Sequence, residues 1–221
     1  MIFLNKNNLK DFGIELIKDE KQNFFHVYRN GNEVTTLDLT DLDIFGIDVE
    51  CFKNCMCLKK VILPPQLKTI KRFAFKGCIS LKEVVFNENL QVIEEGAFGY
   101  CSLNFFHAPK SLTYIGSSAF IQNGIKDILL NDGLKTIDDY AFCTNFIEEI
   151  FIPNSVTDFK FSSIGEQLIN KKTNLYIPPH LYKPFAQKPT IQIYKSLDEV
   201  IKEAKNFKQI NNFIKISDLE K

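Results

Sequence analysis

The sequence predicts a mainly β solenoid: a right-handed coil of 22–23-residue units with a parallel sheet, a β cap at the N-terminus and an amphipathic helix at the C-terminus. Three sets of recurring residues predict it. Phe52, Phe75, Phe98, Phe120 and Phe142 are spaced by 23, 23, 22 and 22 residues. Ile47, Ile70, Ile93, Ile115 and Ile137 keep nearly the same beat, as do Leu67, Leu90, Leu112 and Leu134. A fixed period in the low twenties marks stacked units, each too small to bury its own apolar face.

Each element follows from local chemistry. Residues 1–33 do not match the repeat and read as an N-terminal cap. An uncovered solenoid end would expose apolar side chains and unpaired backbone. Within the cap, Phe24–Tyr28 alternates like a strand, and Asn30-Gly31 is a hairpin signal. The repeats span 34–178 and start on a strand at Val34–Leu39. Later strands fall at Lys59–Leu63, Lys82–Phe86, Asn104–Ala108, Lys126–Leu130 and Glu148–Ile152. Each stops at Pro or Asn, where the coil turns. A second short strand follows, as in Leu67–Ile70 and Leu134–Ile137, and the Ala-Phe pair occupies a tight turn or 3₁₀ segment.

In one coil the inward set is Leu81, Val84, Phe86, Leu90, Ile93 and Phe98. After Phe159 the pattern decays: Ser163-Ile164 takes the Ala-Phe place, and the strand at Asn174–Pro178 arrives three residues late. Residues 179–195 form a closing coil with a strand at Thr190–Tyr194. In 196–221, Ser196-Leu-Asp-Glu199 is a capping box, and Leu197, Val200, Ile201 and Ala204 define one helical face from about Leu197 to Phe207. The four segments form one domain.

Balanced charge, 27 basic against 27 acidic residues, argues against nucleic acid or an anionic membrane as partner. No apolar run approaches the roughly 18 residues of a membrane span, and the first residues lack the pattern of a secretory signal. The expected location is cytoplasmic for the chain as it stands, or the cell surface if a leader was trimmed or export is unconventional.

Six cysteines are present. Cys55, Cys78 and Cys101 share one repeat position with Asn123 and Asn145, and Cys51 stands where the other units carry Ala. They read as small buried repeat residues rather than a disulfide framework. Cys51, Cys55 and Cys57 cluster, but zinc needs a fourth ligand and the repeat already claims two of them. Neither a metal nor any other cofactor is expected.

The unit Leu-x-x-Val-x-Phe/Pro-x-x-Leu-x-x-Ile-x-x-x-Ala-Phe-x-x-Cys/Asn resembles the BspA-like, or Treponema-type, leucine-rich repeat. The closest matches are Ile70–Cys78, Ile93–Cys101, Ile115–Asn123 and Ile137–Asn145. The resemblance implies a binding scaffold rather than an enzyme. Several members of that family are described as surface adhesins of bacteria and parasitic protists.

Strand alternation then nominates the surface. One outward column is Lys60, Glu83, Phe105, Asp127 and Glu149; the other is Ile62, Val85, His107, Leu129 and Phe151. The second column, with Phe105, makes an apolar stripe, and Glu83, Asp127 and Glu149 make an acidic rim suited to a partner with basic groups. Contiguous apolar surface of several hundred Å² rarely stays bare. A protein partner of unknown identity is expected there, and self-association would satisfy the same logic. No catalytic residue is nominated. Dinucleotide, phosphate-loop and nucleophile-elbow motifs are absent, and His26, His107 and His180 have no ligand at metal-binding spacing in sequence. The remote alternative is a small-ligand-binding or hydrolytic protein using the same face.

Overall fold

In a computed structural model the chain is a β solenoid of parallel strands. The structure describes residues 1–19, 21–22, 24–169 and 173–181, and the backbone of 191–194. The C-terminal helix expected from Leu197 lies outside the described residues.

Each of six coils crosses two parallel sheets. The first carries Thr36–Asp38, Lys60–Ile62, Glu83–Val85, Phe105–His107, Asp127–Leu129, Glu149–Phe151, Thr173–Tyr176 and Ile191–Tyr194. Its hydrogen-bonded ladders run in three groups, broken after Val85 and after Leu129. The second sheet is continuous over seven strands: Phe3–Leu4, Gly46–Ile47, Thr69–Ile70, Val92–Ile93, Tyr114–Ile115, Thr136–Ile137 and Asp158–Phe159. The expected strands are present with shifted ends: most are shorter, while Phe24–Arg29 runs one residue longer and Thr173–Tyr176 starts one residue earlier.

The Ala-Phe turn supplies a third ladder that strand patterning did not reveal. In the second coil, the N–H groups of Phe73, Phe75 and Gly77 donate to the carbonyls of Glu95, Ala97 and Gly99 in the next coil. Between them, Ala74, Lys76 and Cys78 bond back three residues within the turn. Alternate residues must therefore point their N–H along the stack. The backbone achieves this with two left-handed residues per coil: Glu50 and Asn54, Phe73 and Gly77, Gly96 and Tyr100, Ser118 and Gln122, Tyr140 and Thr144. A left-handed residue with a side chain costs roughly 1–2 kcal/mol. The inter-coil hydrogen bonds offset that cost, because buried backbone groups left unpaired would cost as much or more.

Inside the coil, the repeat phenylalanines stack face to face. Phe52, Phe75, Phe98, Phe120 and Phe142 are fully buried, with successive ring centroids 5.2, 5.2, 5.5 and 5.3 Å apart. Phe86 and Phe106 brace the column from the side, Phe86 edge-on to Phe98 and Phe106 tilted against Phe120.

The Cys/Asn position forms a second buried column with a chemical role. Cys78 and Cys101 donate Sγ–H to the carbonyls of Phe52 and Phe75. Asn123, Asn145 and Gln167 donate side-chain N–H to Phe98, Phe120 and Phe142 in the same way. The amides also accept: Asn123 Oδ1 from Leu103 N–H at 3.0 Å, Asn145 Oδ1 from Ile125 at 3.1 Å, and Gln167 Oε1 from Ile147 at 3.1 Å. Thiols make no such bond. In the coils of Cys55 and Cys78, but not of Cys101, the chain runs one residue longer, and the N–H of Leu58 or Leu81 is accepted by the carbonyl of Cys55 or Cys78. The change of period from 23 to 22 thus has a cause: an amide in one coil replaces one backbone residue in the coil before it.

This pairing is testable. Asn123→Ala is expected to cost about 2–6 kcal/mol, since it orphans a buried donor and a buried acceptor at about 1–3 kcal/mol each. Asn123→Cys should recover only part of that loss, because a thiol can reach the Phe98 carbonyl but offers the Leu103 N–H little. Urea melts followed by circular dichroism measure both. A cysteine variant as stable as the parent would refute the account.

The N-terminal cap is more extensive than the expected hairpin. Ile14–Asp19 pairs antiparallel with Phe24–Arg29, which turns through Asn30 and Gly31, both at positive φ, into Asn32–Glu33. That is the conformation a type I′ turn requires. Leu4, Leu9, Ile14 and Val27 join the solenoid core and close its first coil. Phe3 lies against Gly46, where an added Cβ would collide with its ring, and Lys71 Nζ sits 4.3 Å from that ring's centroid. At the other end, the last coil replaces the Ala-Phe turn with a 3₁₀ turn at Phe161–Ser163, and Thr173–Tyr176 carries Ile191–Tyr194 alongside it, where a closing strand was expected.

Candidate functional site

The outer face of the first sheet is built by strict register. Thr36, Lys60 and Glu83 align across neighbouring coils, as do Asp38, Ile62 and Val85. Phe105 aligns with Asp127 and His107 with Leu129. Glu149 aligns with Asn174 and Phe151 with Tyr176. Val61, Val84, Phe106, Ile128 and Ile150 alternate inward and are buried.

The face differs from the sequence expectation at its end and at its rim. Phe151 is not open surface: it is 6% exposed and stacks on Tyr176 with ring centroids 4.1 Å apart. The late strand brings an aromatic ring into register beside it, and two stacked rings exclude water from each other. Ile62 and Leu129 are half-buried. The open apolar patch is therefore Val85, 39% exposed, and Phe105, 43% exposed, with the His107 ring tilted 5.3 Å from that of Phe105.

Part of the acidic rim is paired within the face itself. Glu83 pairs with Lys60 at 2.8 Å, and the Asp127 carboxylate accepts from His107 Nε2 at 2.8 Å. Strands about 4.8 Å apart put opposite charges of adjacent coils within reach. Glu149 is half-buried. At the first coil the Thr40 backbone N–H and hydroxyl hold the Asp38 carboxyl below its ordinary value, so the apolar column begins on a firmly ionised group.

A second surface escaped sequence reasoning. The left-handed positions of the turn project side chains outward, leaving Tyr100 and Tyr140 about half exposed. Lys76 Nζ lies 4.9 Å from the Phe73 ring and 5.3 Å from the Tyr100 ring. The first of these positions holds Glu, Phe, Gly, Ser and Tyr in successive coils and the second Asn, Gly, Tyr, Gln and Thr, so no residue type recurs to mark them.

The cysteine trio separates. Cys51 and Cys55 are fully buried in the coil interior, whereas Cys57 is half-buried and meets His26 and Glu33 from the cap. Burial pushes the Cys51 and Cys78 thiols up to about 12, and those of Cys55 and Cys101 well above the ordinary thiol value. A thiol that cannot ionise is not a nucleophile. No helix among the described residues is long and apolar enough to cross a membrane.

Known proteins place this arrangement. The family model described as BspA type leucine rich repeat region matches residues 46–176 in 6 copies. A solved leucine rich cell surface protein from Faecalibacterium prausnitzii is similar at 18% identity and TM-score 0.53, covering 68% of this chain. The chain spans 50% of that protein's length. A leucine rich repeat protein from T. pallidum is 18% identical at TM-score 0.43, over 74% of this chain and 68% of its own. No curated protein matches. The recurring unit, the stacked coils and the family match over residues 46–176 agree: this chain belongs to the BspA-type leucine-rich repeat family.

Proposed function

We propose that the chain is a non-catalytic scaffold that binds a protein partner through the outer face of its first sheet. The observation that carries this reading is the exposure of Val85 and Phe105 at the centre of that face, beside charges already paired within it. An aromatic and an aliphatic side chain ringed by compensated polar groups is the anatomy of an interface centre with a polar rim. Removing such an aromatic anchor typically costs 2 kcal/mol or more of binding.

The double variant Val85→Ser and Phe105→Ser tests it. Both side chains are exposed, so stability should change by less than about 1 kcal/mol. Proteins retained by the immobilised parent chain from native lysate should be lost by the variant, or the solution mass should fall if the partner is a second copy. An unchanged retained set together with an unchanged mass would remove the reading.

The F. prausnitzii protein is described as a cell surface protein. That description supports a second reading, an adhesin-like role with an extracellular ligand. Fractionation of cells producing the chain separates the two.

A further inference from the structure

At the seam between cap and solenoid, three donor side chains from distant parts of the sequence meet. His26 lies on Phe24–Arg29, Glu33 on Asn32–Glu33, and Cys57 on the turn leading to Lys60–Ile62. One ligand atom from each falls within 4.8 Å of the other two. His26 Nδ1 lies 2.6 Å from Glu33 Oε1 and 3.5 Å from Cys57 Sγ. Neither His26 nor Cys57 belongs to the repeat pattern, so the coil's own packing gives no reason for either residue.

We propose that Cys57, His26 and Glu33 bind a borderline divalent transition metal of the Zn²⁺ class, clipping the N-terminal cap to the first coils. Zinc bonds of about 2.3 Å to sulfur and 2.0 Å to nitrogen, at a tetrahedral angle, put those two donors about 3.5 Å apart. That is the Sγ–Nδ1 separation observed. Glu33 Oε1 then has to back away from Nδ1 by about 0.7 Å to reach tetrahedral spacing, and its exposed carboxylate has room to do so.

The outer shell is also in place. Asp19 Oδ2 lies 3.9 Å from His26 Nε2, and Asp19 Oδ1 accepts the backbone N–H groups of Lys21 and Gln22. As the ring stands, its Nδ1–H faces Glu33 Oε1; a metal at Nδ1 displaces that proton and leaves the ring proton on Nε2, the side on which Asp19 lies. On binding, the Cys57 S–H bond breaks, its electron pair forms the sulfur–metal bond, and the proton leaves to solvent. With three protein donors, water completes the shell.

Burial, then the charges of Glu33 and Asp19, push the Cys57 thiol above its ordinary value. The same negative surroundings attract a cation, and a bound cation reverses their effect on the thiol.

Co²⁺ titration of the full chain, after chelator treatment and dialysis, tests the site. A thiolate-to-cobalt charge-transfer band in the near ultraviolet should grow, saturate at one equivalent, and disappear on adding Zn²⁺. Cys57→Ser should abolish the band, and His26→Gln and Glu33→Gln should each weaken Co²⁺ affinity at least ~10-fold. Cys143→Ser should change nothing. Circular dichroism confirms that each variant is folded. The proposal is overturned if no saturable band appears, or if Cys57→Ser keeps the parent's band.

Discussion

Phe98→Ala is expected to lower the unfolding free energy by about 3–5 kcal/mol, the usual loss for a fully buried phenylalanine. For a domain of this size the melting temperature should fall by roughly 6–20 °C. Phe98 stands mid-column, stacked on Phe75 at 3° between ring planes and on Phe120 at 12°, with Phe86 edge-on. Alanine leaves an apolar void touching three other rings, and stacked backbones tied by three ladders have little freedom to collapse into it. A solenoid's stability is close to a sum over neighbouring units. The central loss should therefore also weaken coupling between the two halves, lowering the urea m-value. Phe52→Ala, which among the described residues has only Phe75 stacked on it, should leave cooperativity closer to the parent's. Urea melts monitored by far-ultraviolet circular dichroism give both quantities. A loss below about 1 kcal/mol for Phe98→Ala would mean that the ring column does not hold the stack together.

Above pH 9 the fold should lose stability steeply, because four thiols are buried where they cannot ionise. Cys51, Cys55, Cys78 and Cys101 are at most 7% exposed, and burial raises all four, two of them to about 12. Below about pH 9 the thiols are neutral in folded and unfolded chain alike, and their contribution is intact. Between pH 9 and the folded values only the unfolded chain releases the protons, which favours unfolding by about 1.4 kcal/mol per thiol per pH unit. By pH 10 four thiols together cost on the order of 5 kcal/mol, against a typical total of about 5–15 kcal/mol. Base-induced unfolding should therefore set in at pH 10–11.

Two substitutions isolate this effect from the tyrosines and lysines that titrate nearby. Cys51→Ala copies the residue at that place in later coils. Cys78→Ser keeps a donor for the Phe52 carbonyl, the bond that Cys78 makes at 3.1 Å. Together they should move the alkaline midpoint to higher pH, measured by circular dichroism against pH under reducing conditions. An unmoved midpoint would show that the buried thiols do not control it.

The inside of this molecule was legible from its letters because stacking imposes the same packing problem on every coil. Phe75, Ile70, Leu67 and Ala74 recur because each fills the same space between the same neighbours. The left-handed turn positions were not legible, since what they require is a backbone angle rather than a residue type, and Phe73, Gly96, Ser118 and Tyr140 all supply it. Gln167 keeps the 22-residue beat from Asn145 but was missed as the last rung of the amide ladder, because it is a different residue type in a coil where Ser163-Ile164 replaces the Ala-Phe pair.

The sequence alone determined the coil: its period, its inward residues, its strand positions and the outward sense of Lys60, Glu83, Phe105 and their columns. Those depend on neighbours close in the chain or one period away. Only the tertiary structure decided which outward residues stay open and which charges cancel, and it alone brought His26 and Glu33 of the cap to Cys57. Phe151 is covered and Glu83 is paired because of what sits in the next coil, at distances of a few ångströms that no local pattern encodes.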